Sequence, residues 1–239
     1  GGALPSGASS VPVYWLDGAG GTWLFREYVD VDGGGDDADL ALAAMLGGDP
    51  GDPDYASAWS AAGPSGVSRA GDRLVVDLPA GAAPGTLDAA RAAAAVQQLV
   101  HTVTAAAGED LPVEVRVDGA AEPVLFGHAL PRTVSRAPQA DVQAPAWITS
   151  VSTATPGQVV VEGVGSAFEG TLLCTVTDAS GAEVARGPVQ AGADGRFAEF
   201  SVTLPLPAGE HTVVVQRPDE SDGEAGALPP GDSKTFTVR

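Results

Sequence analysis

The sequence predicts two domains, an α+β domain with a small sheet and a long packed helix, followed by an all-β immunoglobulin-like sandwich. Three observations carry this reading. A single long helical run lies in the first half; beyond residue 146 only short runs of period-two hydrophobicity remain; and a polar, proline-bearing stretch without periodicity separates the two regions. With 239 residues there is length for two modest domains, and 44% hydrophobic content is enough for both to bury a core. The expected division is a flexible linker over residues 1–10, the α+β domain over 11–131, an interdomain linker over 132–146 and the sandwich over 147–239.

Gly1 to Ser10 is rich in Gly, Ser and Ala, a flexible composition that tethers a folded domain to something preceding it. Val11 to Leu16 and Thr22 to Val29 flank Asp17-Gly18-Ala19-Gly20-Gly21, so they read as a β-hairpin. An acidic glycine-rich loop follows, and Ala38 to Leu46 then reads as a short helix stopped by Gly47-Gly48. Tyr55 to Ala62 is expected to form another helical turn, ended by Gly63-Pro64. Arg73 to Leu78 is a strand. Thr86 is placed to cap the long helix Leu87 to Ala107, in which Val96, Leu99, Val100 and Val103 mark the core face while Gln97, Gln98 and His101 fall elsewhere. Gly108 stops that helix, and Val113 to Val117 alternates as a closing strand before Asp118-Gly119.

About seven strands are expected beyond the linker: 147–151, 158–163, 170–177, 183–185, 197–204, 211–217 and 235–238. Cys174 sits inside the third as a small buried hydrophobe, a reactive thiol being the alternative, and a single cysteine excludes an intramolecular disulfide.

Charge narrows the function. Asp and Glu number 31 against 12 Lys and Arg, a net charge of -19 that repels phosphate backbones and argues against a nucleic-acid partner. The same surplus serves solubility, or a cation or basic partner. No apolar run approaches the length of a membrane span, and no signal peptide is visible.

No catalytic motif appears. His101, His128 and His211 are scattered, and Gly-x-Ser-x-Gly, His-Glu-x-x-His and cysteine–histidine zinc spacings are missing, so the histidines read as surface or packing residues and no catalytic or cofactor-binding residue is assigned. Asp30, Asp32, Asp36, Asp37 and Asp39 place oxygen ligands on a glycine-rich loop, the chemistry of a calcium site. The loop lacks the carboxylates an EF-hand requires at its fifth and twelfth positions, so it reads as a solvated loop with calcium as the alternative. Trp15, Trp23, Trp59 and Trp147 read as core, with one ring of the Tyr14-Trp15 pair free to face out; sugar stacking is the other use of exposed indoles.

Two resemblances sharpen this. Ala41 to Gly48, Ala-Leu-Ala-Ala-Met-Leu-Gly-Gly, resembles the stretch that ends the early helix of the sporulation and spore-germination domain known as GerMN. Arg73 to Leu78 resembles its central strand, Gln97 to Thr104 its long helix with a Thr-x-Thr ending, and Val113 to Gly119 its closing strand; the likeness covers about Val11 to Pro131. The acidic, glycine-rich Asp30 to Asp39 loop departs from the pattern. In the second half, Val164-Gly165-Ser166-Ala167-Phe168-Glu169-Gly170, Ala193-Asp194-Gly195-Arg196-Phe197, Pro207 to His211, the acidic turn Asp219 to Glu224 and the last strand resemble the immunoglobulin-like domain of bacterial spore germination. Together the resemblances imply a non-enzymatic, extracytoplasmic bacterial envelope protein, lipid-anchored to the outer face of the plasma membrane, that binds or assembles in sporulation, germination or cell-wall complexes. An envelope protein, a second copy of the chain, or peptidoglycan or another wall polymer would be the partner, and the membrane would be met only through the anchor. A carbohydrate-binding accessory to cell-wall hydrolysis is the alternative.

Overall fold

A computed structural model describes residues 8–218 and 231–239. The chain divides into two compact units between Val142 and Gln143. In the first unit, β1 (Ala8–Asp17) and β2 (Leu24–Asp32) form a hairpin paired without interruption from Ala8↔Asp32 to Leu16↔Leu24. This hairpin is longer at its open end than the sequence suggested, while at the turn β2 begins at Leu24 and not at Thr22. Ala8 to Ser10, read as linker, pair with Asp30 to Asp32, read as loop, because half-buried Val29 and Val31 alternate with the aspartates and continue the strand period beneath the acidic composition. Residues 1–7 of that linker lie outside the described residues.

Next comes α1 (Asp37–Gly47), which buries Ala38, Ala41, Leu42, Met45 and Leu46 and ends at Gly48 in the left-handed conformation, φ 67°. The helical turn expected from Tyr55 is instead a short strand, β3 (Tyr55–Ala56), paired with the end of β1. Its side chains explain the change: the Tyr55 ring stacks on Phe25 at 4.6 Å, and the Trp59 indole N–H donates to the Ala95 carbonyl at 2.9 Å. These anchors hold the segment extended.

A four-stranded sheet follows, with β4 (Gly66–Ala70) and β5 (Arg73–Leu78) turning tightly at Gly71. Helix α2 (Ala89–Ala107) then connects β5 to β6 (Val113–Val117), which lies parallel to it, so these elements make a β-helix-β crossover. Its N-cap is Asp88, whose Oδ1 accepts from the Arg91 N–H at 2.9 Å; the expected cap, Thr86, lies outside the helix. β7 (Ala120–Ala121) completes the order β4-β5-β6-β7, and β8 (Val124–Leu125) and β9 (His128–Ala129) form a small hairpin before α3 (Gln139–Val142). The stretch 132–146, expected to link the domains, is occupied. Val134 exchanges two backbone hydrogen bonds of 2.8 Å with Val113, and Arg136 Nε donates to Thr104 Oγ1 at 2.6 Å.

The second unit is a sandwich. β10 (Ala146–Ser152), β11 (Gln158–Ala167), β12 (Thr171–Asp178), β13 (Glu183–Gln190), β14 (Gly192–Ala193), β15 (Ala198–Pro205), β16 (Gly209–Gln216) and β17 (Asp232–Val238) occupy the expected places, with β14 as a two-residue addition. One sheet runs β10-β11-β15, with β14 parallel to the end of β11, and the other runs β13-β12-β16-β17. Ile148, Val159, Val161, Leu172, Cys174, Phe200, Val213 and Val215 fill the space between them. Gly163 is required in the middle of β11: a Cβ there would fall 2.4 Å from the Phe200 ring and 2.3 Å from the Trp147 carbonyl. The acidic turn Asp219 to Glu224 lies outside the described residues.

Candidate binding groove on the first unit

Helix α2 organises the first unit, and its environment differs from the one its sequence implies. Gln98, His101, Thr102 and Thr104, assigned away from the core face or left unassigned, are buried with Leu99, Val100 and Val103. The helix is therefore enclosed on more than one side. Thr102 Oγ1 accepts a hydrogen bond of 3.0 Å from the Tyr14 N–H on β1, while the Tyr14 ring tilts against His101 with centroids 5.2 Å apart. Gln98 donates to Ser57 Oγ at 3.2 Å. Both Tyr14 and Trp15 are consequently buried, so neither ring of that pair faces out.

His101 is 2% exposed, and neither ring nitrogen has a hydrogen bond of ordinary geometry. Burial, and then the nearby positive charge of Arg136, lower its pKa to about 4; the Ala137 backbone and Asp110 oppose this weakly. It is a neutral core residue at pH 7. An enclosed carboxylate, by contrast, is satisfied. Glu114 on β6 accepts from Arg73 Nε and Arg116 Nε, both at 2.7 Å, and the hydrogen bond from Arg116 does most to hold its carboxyl below the usual carboxylate range against the opposing effect of burial.

Toward its N-terminal end α2 is built from small residues, and this leaves an apolar depression beside it. Ala89, Ala90 and Ala93 form a floor that Leu130, Pro131, Val134, Ala137 and Val142 wall in, enclosing about 520 Å³. Gln97 fixes the wall with two hydrogen bonds, donating to the Ser135 carbonyl at 3.1 Å and accepting from the Ala137 N–H at 2.9 Å. His128, also lining the groove, is held by a 2.9 Å contact between Nε2 and the Leu87 carbonyl. Among the described lining residues His128 and Asp141 are the ionisable ones. A lining of this composition suits apolar side chains.

The sequence offered one clue to this site, the run Ala89 to Ala95 on a helix, because small residues leave space beside a helix. The wall could not be read. Val134, Ala137 and Val142 come from the stretch read as linker, Leu130 and Pro131 from the end of the segment before it, and the stretch is tied down by Gln97 and Arg136, whose contacts span more than thirty positions.

A second, more polar cleft of about 550 Å³ lies at the start of α1, where Asp36, Asp37, Arg69 and Glu109 meet and Arg69 pairs with Glu109. The five aspartates of the acidic segment do not converge on it. Asp30 and Asp32 belong to β2, Asp36 and Asp37 stand where the helix dipole favours negative charge, and Asp39 Oδ1 accepts from the Val67 N–H at 2.7 Å. Among the described residues no three His, Cys, Asp or Glu side chains come together to hold a metal ion. The third histidine, His211, is buried in the second unit with Nε2 2.9 Å from the Pro207 carbonyl.

The indoles of Trp15, Trp59 and Trp147 are buried, Trp23, also read as core, is only half-buried in the turn before β2, and the exposed large aromatics, Tyr28 and Phe168, stand singly, one in each unit. Cys174 is buried, which raises its pKa to about 11. No described helix is long and apolar enough to cross a membrane.

Comparison with known proteins gives the two units separate relatives. Residues 12–122 match the family described as sporulation and spore germination, and residues 139–224 match the immunoglobulin-like domain of bacterial spore germination. No curated protein matches the chain. Among solved structures, a candidate lipoprotein from Clostridium perfringens is 13% identical, covers 53% of this chain and 88% of its own, and has a TM-score of 0.36. A Bifidobacterium dentium beta-glucuronidase, 15% identical, aligns over 41% of this chain and 19% of its own with a TM-score of 0.28. At these scores neither likeness carries a function across. With the two family matches extending from residue 12 to residue 224, the chain joins a domain of the sporulation and spore germination family to an immunoglobulin-like domain of the bacterial spore germination family.

Proposed function

We propose that this chain is a non-enzymatic, extracytoplasmic envelope protein that works as a binding or assembly module, with the groove beside α2 receiving an apolar segment of an envelope protein. The observation that carries the reading is the groove itself, apolar in its lining, with its wall joined to α2 by the hydrogen bonds of Gln97 to Ser135 and Ala137 and of Arg136 to Thr104. Apolar clefts of this size suit binding. The pairing of two germination-type domains supports an envelope setting, with a lipid anchor as the means of attachment. Nucleic acid is an unsuitable partner for a chain of net charge -19. Wall-polymer binding, the alternative, would call for a row of exposed aromatic rings, and three buried indoles with a single half-buried one, Trp23, do not favour it.

The test is a photo-crosslinking side chain in place of Ala93, in the groove, compared with one in place of Ala121, an exposed residue of β7. In intact cells the residue at position 93 is expected to give discrete adducts with envelope proteins and the one at 121 none. Equal labelling from both positions, or none from 93, would overturn the assignment.

A further inference from the structure

We propose that the first unit pairs with a second copy of itself through the outer edge of β2, in a two-fold antiparallel register with Tyr28 on the axis. β2 ends its sheet, which runs β2-β1-β3, and among the described residues nothing pairs with its outer side. The hairpin fixes which backbone groups that side presents. The Asp17 N–H donates to the Trp23 carbonyl, so the pairs that exchange hydrogen bonds across the hairpin are odd-numbered; the Tyr14 N–H, on an even residue, is directed away to Thr102. By the alternation of an antiparallel ladder, Leu24, Arg26, Tyr28, Asp30 and Asp32 direct their N–H and C=O groups outward. The strand has no proline and its pairing no register shift, two of the devices that usually blunt an edge.

The occupant follows from the residues. β2 runs from Leu24 to Asp32, so the self-pairing that uses its full length has Tyr28 at the midpoint. In that register every outward-facing residue meets an outward-facing residue, as the ladder requires. Arg26 falls opposite Asp30 of the second copy, and symmetry repeats the pair. Shifting the axis to residue 30 sets Asp30 against itself, so charge as well as length favours the centred register. Tyr28, 60% exposed with the Arg26 guanidinium carbon 5.2 Å from its ring centroid, would meet its counterpart as a cross-strand aromatic pair. A second copy of this chain is thus the complementary strand. The proposal rests on the assembly part of the proposed function and uses a surface distinct from the groove, so crosslinking from position 93 and the measurements below fail independently.

Charge reversal provides the test in the full chain. Sedimentation is expected to show a concentration-dependent dimer for the unaltered protein. Arg26→Asp and Asp30→Arg, each alone, are expected to weaken it at least tenfold. An equimolar mixture of the two variants should recover a heterodimer, since one copy then carries acidic and the other basic side chains at both positions. Tyr28→Cys adds a geometric check: opposed residues of a hydrogen-bonded pair have Cα atoms ~5.5 Å apart, within disulfide range. Oxidation should link that variant to itself, while Leu24→Cys, opposite position 32, should remain unlinked. A protein that stays monomeric at high concentration, single variants that dimerise unchanged, or a mixture that fails to recover the dimer would overturn the proposal.

Discussion

The two units bury different kinds of interior. In the second, Ile148, Val159, Val161, Leu172, Cys174, Val176, Phe200, Val213 and Val215 make a nearly continuous apolar layer between two sheets. In the first, Gln98, His101, Thr102, Thr104 and Glu114 are enclosed beside the apolar residues, whereas the buried polar groups of the second, Gln143, Ser166, His211 and Asp232, are not members of its apolar layer. An apolar layer gains stability from area removed from water, which does not depend on protonation. A core holding a neutral histidine and a paired carboxylate is tied to pH and to the geometry of individual hydrogen bonds. The apolar layer of the second unit should therefore respond mainly to lost volume, and the polar core around α2 to lost partners and protons.

The largest expected effect is on the apolar side. Leu172→Ala should destabilise the second unit by about 2–5 kcal/mol, with little dependence on pH between 4 and 6.5, because the loss is packing against fixed neighbours. Hydrogen exchange in the full chain resolves the units and reads the change. A pH-dependent cost would erase the contrast. Asp178, whose carboxyl is held low chiefly by the Ser180 hydroxyl, contributes stability above its unfolded pKa of 3.8 and loses it only as pH falls further.

Next in size is acid sensitivity of the first unit. The His101 pKa is lowered from 6.5 to about 4, so over that interval the unfolded chain binds a proton that the folded chain refuses. Stability is unaffected above pH 6.5 and falls as pH drops, by about 3 kcal/mol at pH 4. Glu114 acts in the same direction only below its unfolded value of 4.5, since a lowered carboxyl pKa loses its contribution as pH falls through the folded value. His101→Leu should remove the dependence between pH 6.5 and 4.5 whatever its effect on packing. An unchanged slope in α2 exchange would show that another group is responsible.

The smallest effect sharpens the comparison to one hydrogen bond. Thr102→Val keeps the shape of the side chain and removes the acceptor for the Tyr14 N–H, which should cost about 1–3 kcal/mol. Faster exchange at Tyr14, with the second unit unchanged, is the expected readout. Equal protection of that amide in both proteins would mean that Thr102 is not its partner in solution.

How far the sequence could be read follows the same division. The sandwich was legible because β-strand periodicity between turns survives wherever one face is buried, and its strands lie where that period placed them. In the first unit Arg73 to Leu78 and Val113 to Val117 were equally clear. Helix α2 was visible as a helix but not as an enclosed one, since the side that meets β1 is polar in sequence and satisfied by Thr102 and Gln98 through contacts distant along the chain. Asp30 and Asp32 were read by composition although Val29 and Val31 kept the strand period running. The groove wall was hidden because Pro131 to Val142 has no periodicity; its order comes from Gln97, Arg136 and Val113.

The position of Cys174 has a consequence of another kind. The thiol lies on β12 inside the sandwich, and burial raises its pKa to about 11, so little thiolate exists at neutral pH and oxidants or disulfides in solution have no route to it while the domain is folded. With no second cysteine in the chain, folding requires no oxidising machinery and leaves no disulfide to be reduced. Within these 239 residues, thiol–disulfide chemistry is therefore indifferent to the redox poise of the surroundings.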